Sequence, residues 1–453
     1  MTAIVGNAFR KYNADSFIDS FSTNNVYLMI GKKDEWASTG AGQYAGSGFS
    51  DTSIPTPIDT TQASYIHHND MIAAKLIGTS DVSHVLKRVD WTSGTVYEEY
   101  DHLTDDIIDQ DFFVFTSAYR VYKCISNYDR AASIVEPTGT SSAIIETADN
   151  YRWKFMYQIP VADILKFVTT DWVSMKYLST DDGSTQWDVQ QAAVDGALEH
   201  IDVTAGGTSY IENAGIAQNG SATTITLASG ASANDDEYNT MSVWITSGTG
   251  ANQLRTITDY NGTSKVATVA TWTTNPITGS TYEVMPSVSI TTLEGSSATA
   301  RVSSIEAGVI KKVSMVTVGT VYRSGTATIT GGAGSGCTLE PRFGPPGGHG
   351  KNVVSELGGA FVMMNSRLIG ADGSGDFVIG DDFRKVILIA NPTVNNVLAS
   401  ASTYHGPQGG IAPFGEGEGE LDEDSGEIIY VEYRAPINRV ADQTEDIKIV
   451  AEF

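Results

Sequence analysis

The side chains best suited to chemistry are spread thinly along these 453 residues. His67 and His68 are adjacent. On a strand, neighbours project to opposite sides and seldom reach one ion together. No HExxH pattern or spaced His/Cys set joins them. They read as ordinary core or surface histidines. The acids Glu416, Glu418, Glu420, Asp422, Glu423, Asp424 and Glu427 crowd one Gly-rich loop, 404–427. Hard cations take clustered carboxylates, but this order is not that of a helix–loop–helix calcium site, and a solvated loop is the simpler reading. No serine has glycine at both −2 and +2, so there is no nucleophile elbow, and no GxxxxGK[ST] occurs. The Gly-rich runs 331–336 and 344–350 are not GxGxxG and read as turns. Carboxylate pairs for glycoside hydrolysis meet only in the fold, and with 54 acids no pair stands out. Tyr151, Trp153, Phe155 and Tyr157, with Tyr430 and Tyr433, would suit stacking on a sugar or base. Burial in a core or a subunit interface accounts for them more simply. The sequence therefore points to no catalytic residue, no cofactor-binding residue and no metal ligand.

The elements that would position any site are mainly strands. Phe9, Tyr12, Phe17 and Phe21 have helical spacing over 7–22. Val26-Tyr-Leu-Met-Ile30 reads as a strand, 37–64 as a loop, and 65–77 as a helix or a strand. Two strands are expected over 112–125, and one over 151–159 that stops at Pro160. Later strands are expected over 386–390, 428–433 and 447–453. The fold class is therefore mainly β, sandwich-like, with a few helices and several domains.

From about 200 to 343 charge falls and Gly, Thr, Ser, Ala and Val dominate. This stretch holds a repeat. Val203-Thr-Ala-Gly-Gly-Thr-Ser-Tyr210 matches Val316-Thr-Val-Gly-Thr-Val-Tyr322 with one residue deleted. Val288-Ser-Ile290 through Gly295-Ser296-Ser-Ala-Thr299 matches Ala327-Thr-Ile329 through Gly334-Ser335-Gly-Cys-Thr338. The half-motifs are adjacent in the second copy and separated in the first, which implies an insertion near 214–286. Five strand patterns there, over 223–227, 242–245, 253–257, 266–270 and 281–284, predict a small β-barrel or sandwich. The expected organisation is a host domain in two parts, 1–185 and 351–453, split by a Gly/Thr-rich region, 186–350.

The formal net charge is −26. Duplex binding depends on Lys and Arg displacing counterions, so nucleic acid and anionic membrane are poor partners for this chain. Cys124 and Cys337 cannot form a disulfide framework and read as thiols in a reducing compartment. The first ten residues do not read as a secretory signal, and no apolar run has membrane-spanning length. A cytoplasm is the expected place of synthesis.

Several segments stand out together. They are Lys87-Arg88-Val-Asp90-Trp91; Val121-Tyr122-Lys123-Cys124; Tyr151-Arg-Trp153-Lys-Phe155-Met-Tyr-Gln-Ile159-Pro160; Phe383-Arg384-Lys-Val-Ile-Leu-Ile-Ala-Asn391-Pro392; Ser425-Gly426-Glu427-Ile-Ile-Tyr430-Val-Glu432-Tyr-Arg434-Ala-Pro436; and Ala441-Asp442-Gln443-Thr444-Glu445 with the strand after it. In this order they resemble the baseplate wedge subunit, the product of gene eight, of T-even-type contractile-tailed bacteriophages. The resemblance spans roughly 1–165 and 380–453 and leaves out about 185–350. It implies a structural virion protein of the viral tail, assembled in the host cytoplasm. It also implies a β-rich homodimer within each of six wedges, with other wedge proteins as neighbours, that rearranges when the tail contracts. The family brings no catalytic residues, no cofactor and no small-molecule substrate. Two other readings compete with it. One is a receptor- or carbohydrate-binding tail protein acting through 200–343. The other is a tail glycosidase or lysin.

Overall fold

Short apolar and β-branched runs punctuated by glycine leave little room for helix. In the computed structural model every ladder between named strands is antiparallel. The structure describes residues 6–36, 47–58, 60–104, 107–128, 130–369, 382–399, 421–422, 425–438 and 444–453. No helix among them is long and apolar enough to cross a membrane. The fold is mainly β, built as several antiparallel sheets with few helices. It divides into two units. One is Met1–Arg88, Ile159–Lys176 and Leu357–Phe453; the other is Val89–Gln158 and Tyr177–Glu356. Residues 89–158, grouped with the host domain in the sequence reading, thus cluster with the Gly/Thr-rich region. Their strands contact chiefly one another, and Arg152–Gln158 packs on helix Thr185–Ala192 while Arg120–Ser126 touches His200–Thr208.

The first unit is a sandwich of two four-stranded sheets. One runs in the order Met71–Ile77, Val26–Gly31, Asp382–Ala390, Glu427–Asn438. The other runs Thr444–Glu452, Phe361–Ile369, Val82–Lys87, Trp172–Met175. Leu28, Val386 and Leu388 of the first sheet meet Val362, Met364 and Ile449 of the second. The two central strands of the first sheet are covered on both faces, since Tyr27, Met29, Ile387 and Ile389 pack under Leu421 and Ala399. Such strands read as continuous apolar runs rather than alternations. Helix Asn7–Ser20 packs Phe17 onto this core, with Phe21 just beyond its end, and leaves Phe9 and Tyr12 exposed. The ambiguous stretch 65–77 is both things in turn. Helix Thr61–Asn69 is capped by Thr60 Oγ1, which accepts from the Ala63 amide, and strand Met71–Ile77 follows.

Two consecutive cations tie this unit together where the ladder between Asp382–Ala390 and Glu427–Asn438 is irregular. Arg384 donates to both oxygens of Asp51 at 2.8 Å and to the Lys33 carbonyl at 2.5 Å. Lys385, fully buried, donates to Asp70 Oδ2 at 2.6 Å and lies over the Tyr433 ring.

The second unit contains three sheets. A four-stranded sheet, ordered Phe113–Phe115, Arg120–Ser126, Arg152–Gln158, Ile145–Glu146, carries an aromatic core. In that core Tyr151 stacks on Trp153 at 5.3 Å. The insert is a seven-stranded sheet with its own core around Val243, Ile257, Tyr260 and Tyr282. Its strand order starts at Asn213–Ile216 and ends at Asn219–Gly220, two residues further along. One bent strand thus serves both edges: Ala217 donates to the Ser280 carbonyl and Gln218 to that of Thr226. The sheet closes into a small barrel, and the five predicted strands all lie in it.

The repeat forms the third sheet, with six strands in the order Val309–Thr320, Ser296–Glu306, Ser287–Thr291, Thr326–Thr330, Ser335–Arg342, His200–Thr208. Its central pair is the two copies of the Val288/Ala327 motif, Val288 opposite Ile329 and Ile290 opposite Ala327. The sequence shows two copies but not that they are exchanged. The first strand of each copy pairs with the third strand of the other, His200–Thr208 with Ser335–Arg342 and Val309–Thr320 with Ser296–Glu306. Gly207 and Gly319 mark the equivalent points, at φ +63° and +62°. A Cβ on Gly207 would lie 2.4 Å from the Ser335 carbonyl oxygen and 2.8 Å from the Tyr210 ring. One on Gly319 would lie 2.5 Å from that of Ser296 and 2.7 Å from the Tyr322 ring. Where the second copy turns through residues 321–325, the first accommodates the whole barrel.

These two glycines are needed for both their backbone angle and the close approach. Gly207→Ala and Gly319→Ala are each expected to cost about 2 kcal/mol or more of unfolding free energy. Urea denaturation followed by circular dichroism would measure this, with Gly230→Ala, at an open position, as the control that stays near wild type.

Candidate functional site

The outer strands of the six-stranded sheet, His200–Thr208 and Val309–Thr320, approach each other as the sheet curls. They are joined near each end, where Leu198 donates to the Val318 carbonyl at 2.8 Å and Tyr210 to that of Gly308 at 3.0 Å. Between those points no ladder forms, and a cleft of about 300 Å³ opens there. Its walls are residues 200–206 and 309–315, and it is also lined by Ser126, Glu146 and Arg152 of the four-stranded sheet and by Tyr128 and Asn150 from the turns beside it. Lys312 Nζ reaches Glu146 Oε1 at 2.8 Å, and Arg152 donates to the Glu199 carbonyl at 2.9 Å. The lining is polar and mixed in charge, with one exposed aromatic ring, Tyr128.

One wall continues into a charged cluster. His200 and Asp202 alternate on their strand and so share a face. His200 Nε2 lies 3.5 Å from Glu99 Oε1 but makes no hydrogen bond. Arg342 gathers four carboxylates: Glu99 at 3.4 Å, Asp101 at 3.4 Å, Asp202 at 3.2 Å and Glu340 at 3.3 Å. The Asn127 amide donates to Glu99 Oε1 at 2.8 Å. Burial pushes the Glu99 carboxyl up, but His200, the Asn127 amide and Arg342 outweigh it and hold the group below its ordinary value. Burial also disfavours the Arg342 charge, and the surrounding carboxylates more than reverse that.

A second buried pair closes the unit elsewhere. Lys123, wholly enclosed, bonds Glu356 and sits 4.0 Å above the Tyr100 ring. Glu356 also accepts from the amides of Gly350 at 2.9 Å and Asn352 at 3.1 Å. Its role is to anchor the turn that ends the run 344–350.

The residues singled out in the sequence go to other places. His67 and His68 are on a helix, not a strand, and both are buried. His67 Nδ1 is 3.4 Å from Lys385 Nζ, and burial, helped by Lys385 and His68, lowers its pKa to about 4. His68 Nδ1 contacts the Ser64 carbonyl at 3.0 Å. Tyr151, Trp153, Phe155 and Tyr157 are buried and present no stacking face, and Tyr433 packs on Trp36. Tyr430 is part-exposed on the edge strand Glu427–Asn438. Glu416, Glu418, Glu420, Glu423 and Asp424 lie outside the described residues. Asp422 has a local task, accepting from Thr393 Oγ1 and from the amides of Asn395 and Asn396 to pin the hairpin at 393–398. Cys124 is buried, Cys337 is part-buried, and both are free thiols. Sequence reasoning passed over Glu99, His200, Asp202 and Arg342. The one visible signal was His-x-Asp on a strand.

No protein-family model matches the chain. No curated protein matches it significantly.

Arg342→Met should lower the unfolding free energy by about 3 kcal/mol at pH 7, because it leaves part-buried carboxylates without their cation. Glu99 contributes stability above its ordinary value of 4.5 that is lost as pH falls through the lowered one. The deficit of the variant should therefore shrink toward acid. Denaturant titrations of both proteins at pH 7 and pH 4 would show it.

Proposed function

We propose that this chain is a non-enzymatic structural subunit of the baseplate wedge of a contractile phage tail. It would be assembled in the host cytoplasm and take part in the rearrangement that triggers contraction. The observation that carries this reading is the kind of residue that bears the resemblance. Val121–Cys124, the 151–160 segment, the 383–392 segment and the two closing strands are core and sheet-forming residues, not a site. A scaffold is defined by such residues. The first unit also exposes apolar side chains suited to burial by neighbours: Phe9 and Tyr12, Val161 and Leu165, and Ile429 on the edge strand Glu427–Asn438. Other wedge proteins and a second copy of the chain are the partners this reading assigns.

Quantitative mass spectrometry on purified tailed particles should find the chain at a multiple of six per particle, with twelve for a dimer in each wedge. Its absence, or a count unrelated to six, would remove the wedge reading.

One observation favours a second reading, a tail protein that binds a receptor glycan. The cleft combines an exposed tyrosine with Asn150, Glu146, Asp202 and Arg152, groups that pair with sugar hydroxyls. A glycan array probed with the full chain should then give hits that Tyr128→Ala abolishes. An array with no hits would leave the cleft without a ligand of this class.

A further inference from the structure

We propose that Glu99, His200 and Asp202 bind a divalent transition-metal ion of the zinc class, in a site braced by Arg342. Each residue offers one ligand atom, and the three atoms lie within 4.8 Å of one another. Ligands around a tetrahedral zinc stand about 3.4 Å apart, so side-chain shifts of about an ångström complete the set. One imidazole nitrogen with two carboxylates favours a borderline cation over magnesium or calcium, which take oxygen.

A feature besides the acids points to a ligand. His200 is about nine-tenths buried, and its Nε2 faces Glu99 and makes no hydrogen bond. A buried ring nitrogen without a hydrogen bond is costly unless something takes its lone pair or its proton. The neighbours are arranged as outer supports of a metal site usually are. Arg342 holds Glu99 Oε2 and Asp202 Oδ2, and the Asn127 amide holds Glu99 Oε1. The charge also calls for a cation. The four carboxylates on Arg342 leave a net charge of −3 (−4 + 1), and Arg152, which feels Glu99, brings this to −2. His200 and Asp202 line the cleft, which gives an ion its path in. The site stands whether or not the chain belongs to a baseplate.

The test is calorimetric titration of metal-stripped full-length protein with zinc chloride, with magnesium as the hard-cation control. One zinc per chain is expected, with no magnesium uptake at the same concentrations. Binding should weaken at least tenfold in His200→Gln and in Asp202→Asn, each first checked for native circular dichroism. If His200→Gln fails to fold, Asp202→Asn decides together with the cobalt-loaded native chain, whose visible bands report inner-sphere ligands. No zinc uptake overturns the proposal. So does uptake of unchanged affinity in the folded variants, which would assign the ion to surface acids.

Discussion

The exchange of strands between the two copies of the repeat is the constraint on which the second unit depends. Each copy's first strand meets its hydrogen-bonding partner only in the other copy. That crossing brings the two first strands side by side at the rim of the curled sheet, and their incomplete pairing opens the cleft. It also sets Asp202 and His200 beside Glu340 and Arg342, since these four face each other across the exchanged ladder. Cleft and charged cluster are thus two results of one backbone arrangement. Gly207 and Gly319 permit it by removing the Cβ where each strand crosses.

The first unit rests on a different interaction. Its central strand Asp382–Ala390 is apolar on both faces, yet it carries Arg384 and Lys385 near its start. The ladder is irregular at this point, and Asp51 and Asp70 meet the two cations beside the packed Trp36 and Tyr433 rings. Isolated charges at such depth would be costly, so the loop bearing Asp51 and the helix end bearing Asp70 are held to the sheet by the need to pair them. His67, with its lowered pKa, is the neutral neighbour that tolerates Lys385.

Much of this was legible in the sequence where the signal is local. The strands of the insert appear in the spacing of apolar residues and turns, and Val26–Gly31 appears as an unbroken apolar run. The repeat was legible as text, but pairing partners are not written into a strand, so the exchange was not. The helix Thr61–Asn69 was blurred because its apolar face is short and a strand follows at once. The cluster was hidden for a plainer reason. Glu99, His200 and Arg342 come from three distant segments, and each alone is a commonplace surface residue.

The strand exchange also dictates a schedule for the growing chain. The barrel of 213–285 has all its strands in one local stretch, so it can be complete while later residues are still being made. His200–Thr208, synthesised just before it, has no ladder until Ser335–Arg342 emerges, more than a hundred residues later. Closing so long a loop is entropically slow, and an unpaired strand edge invites wrong partners in the meantime. The barrel at its C-terminal end, once folded, stands as a bulky sentinel beside that waiting strand.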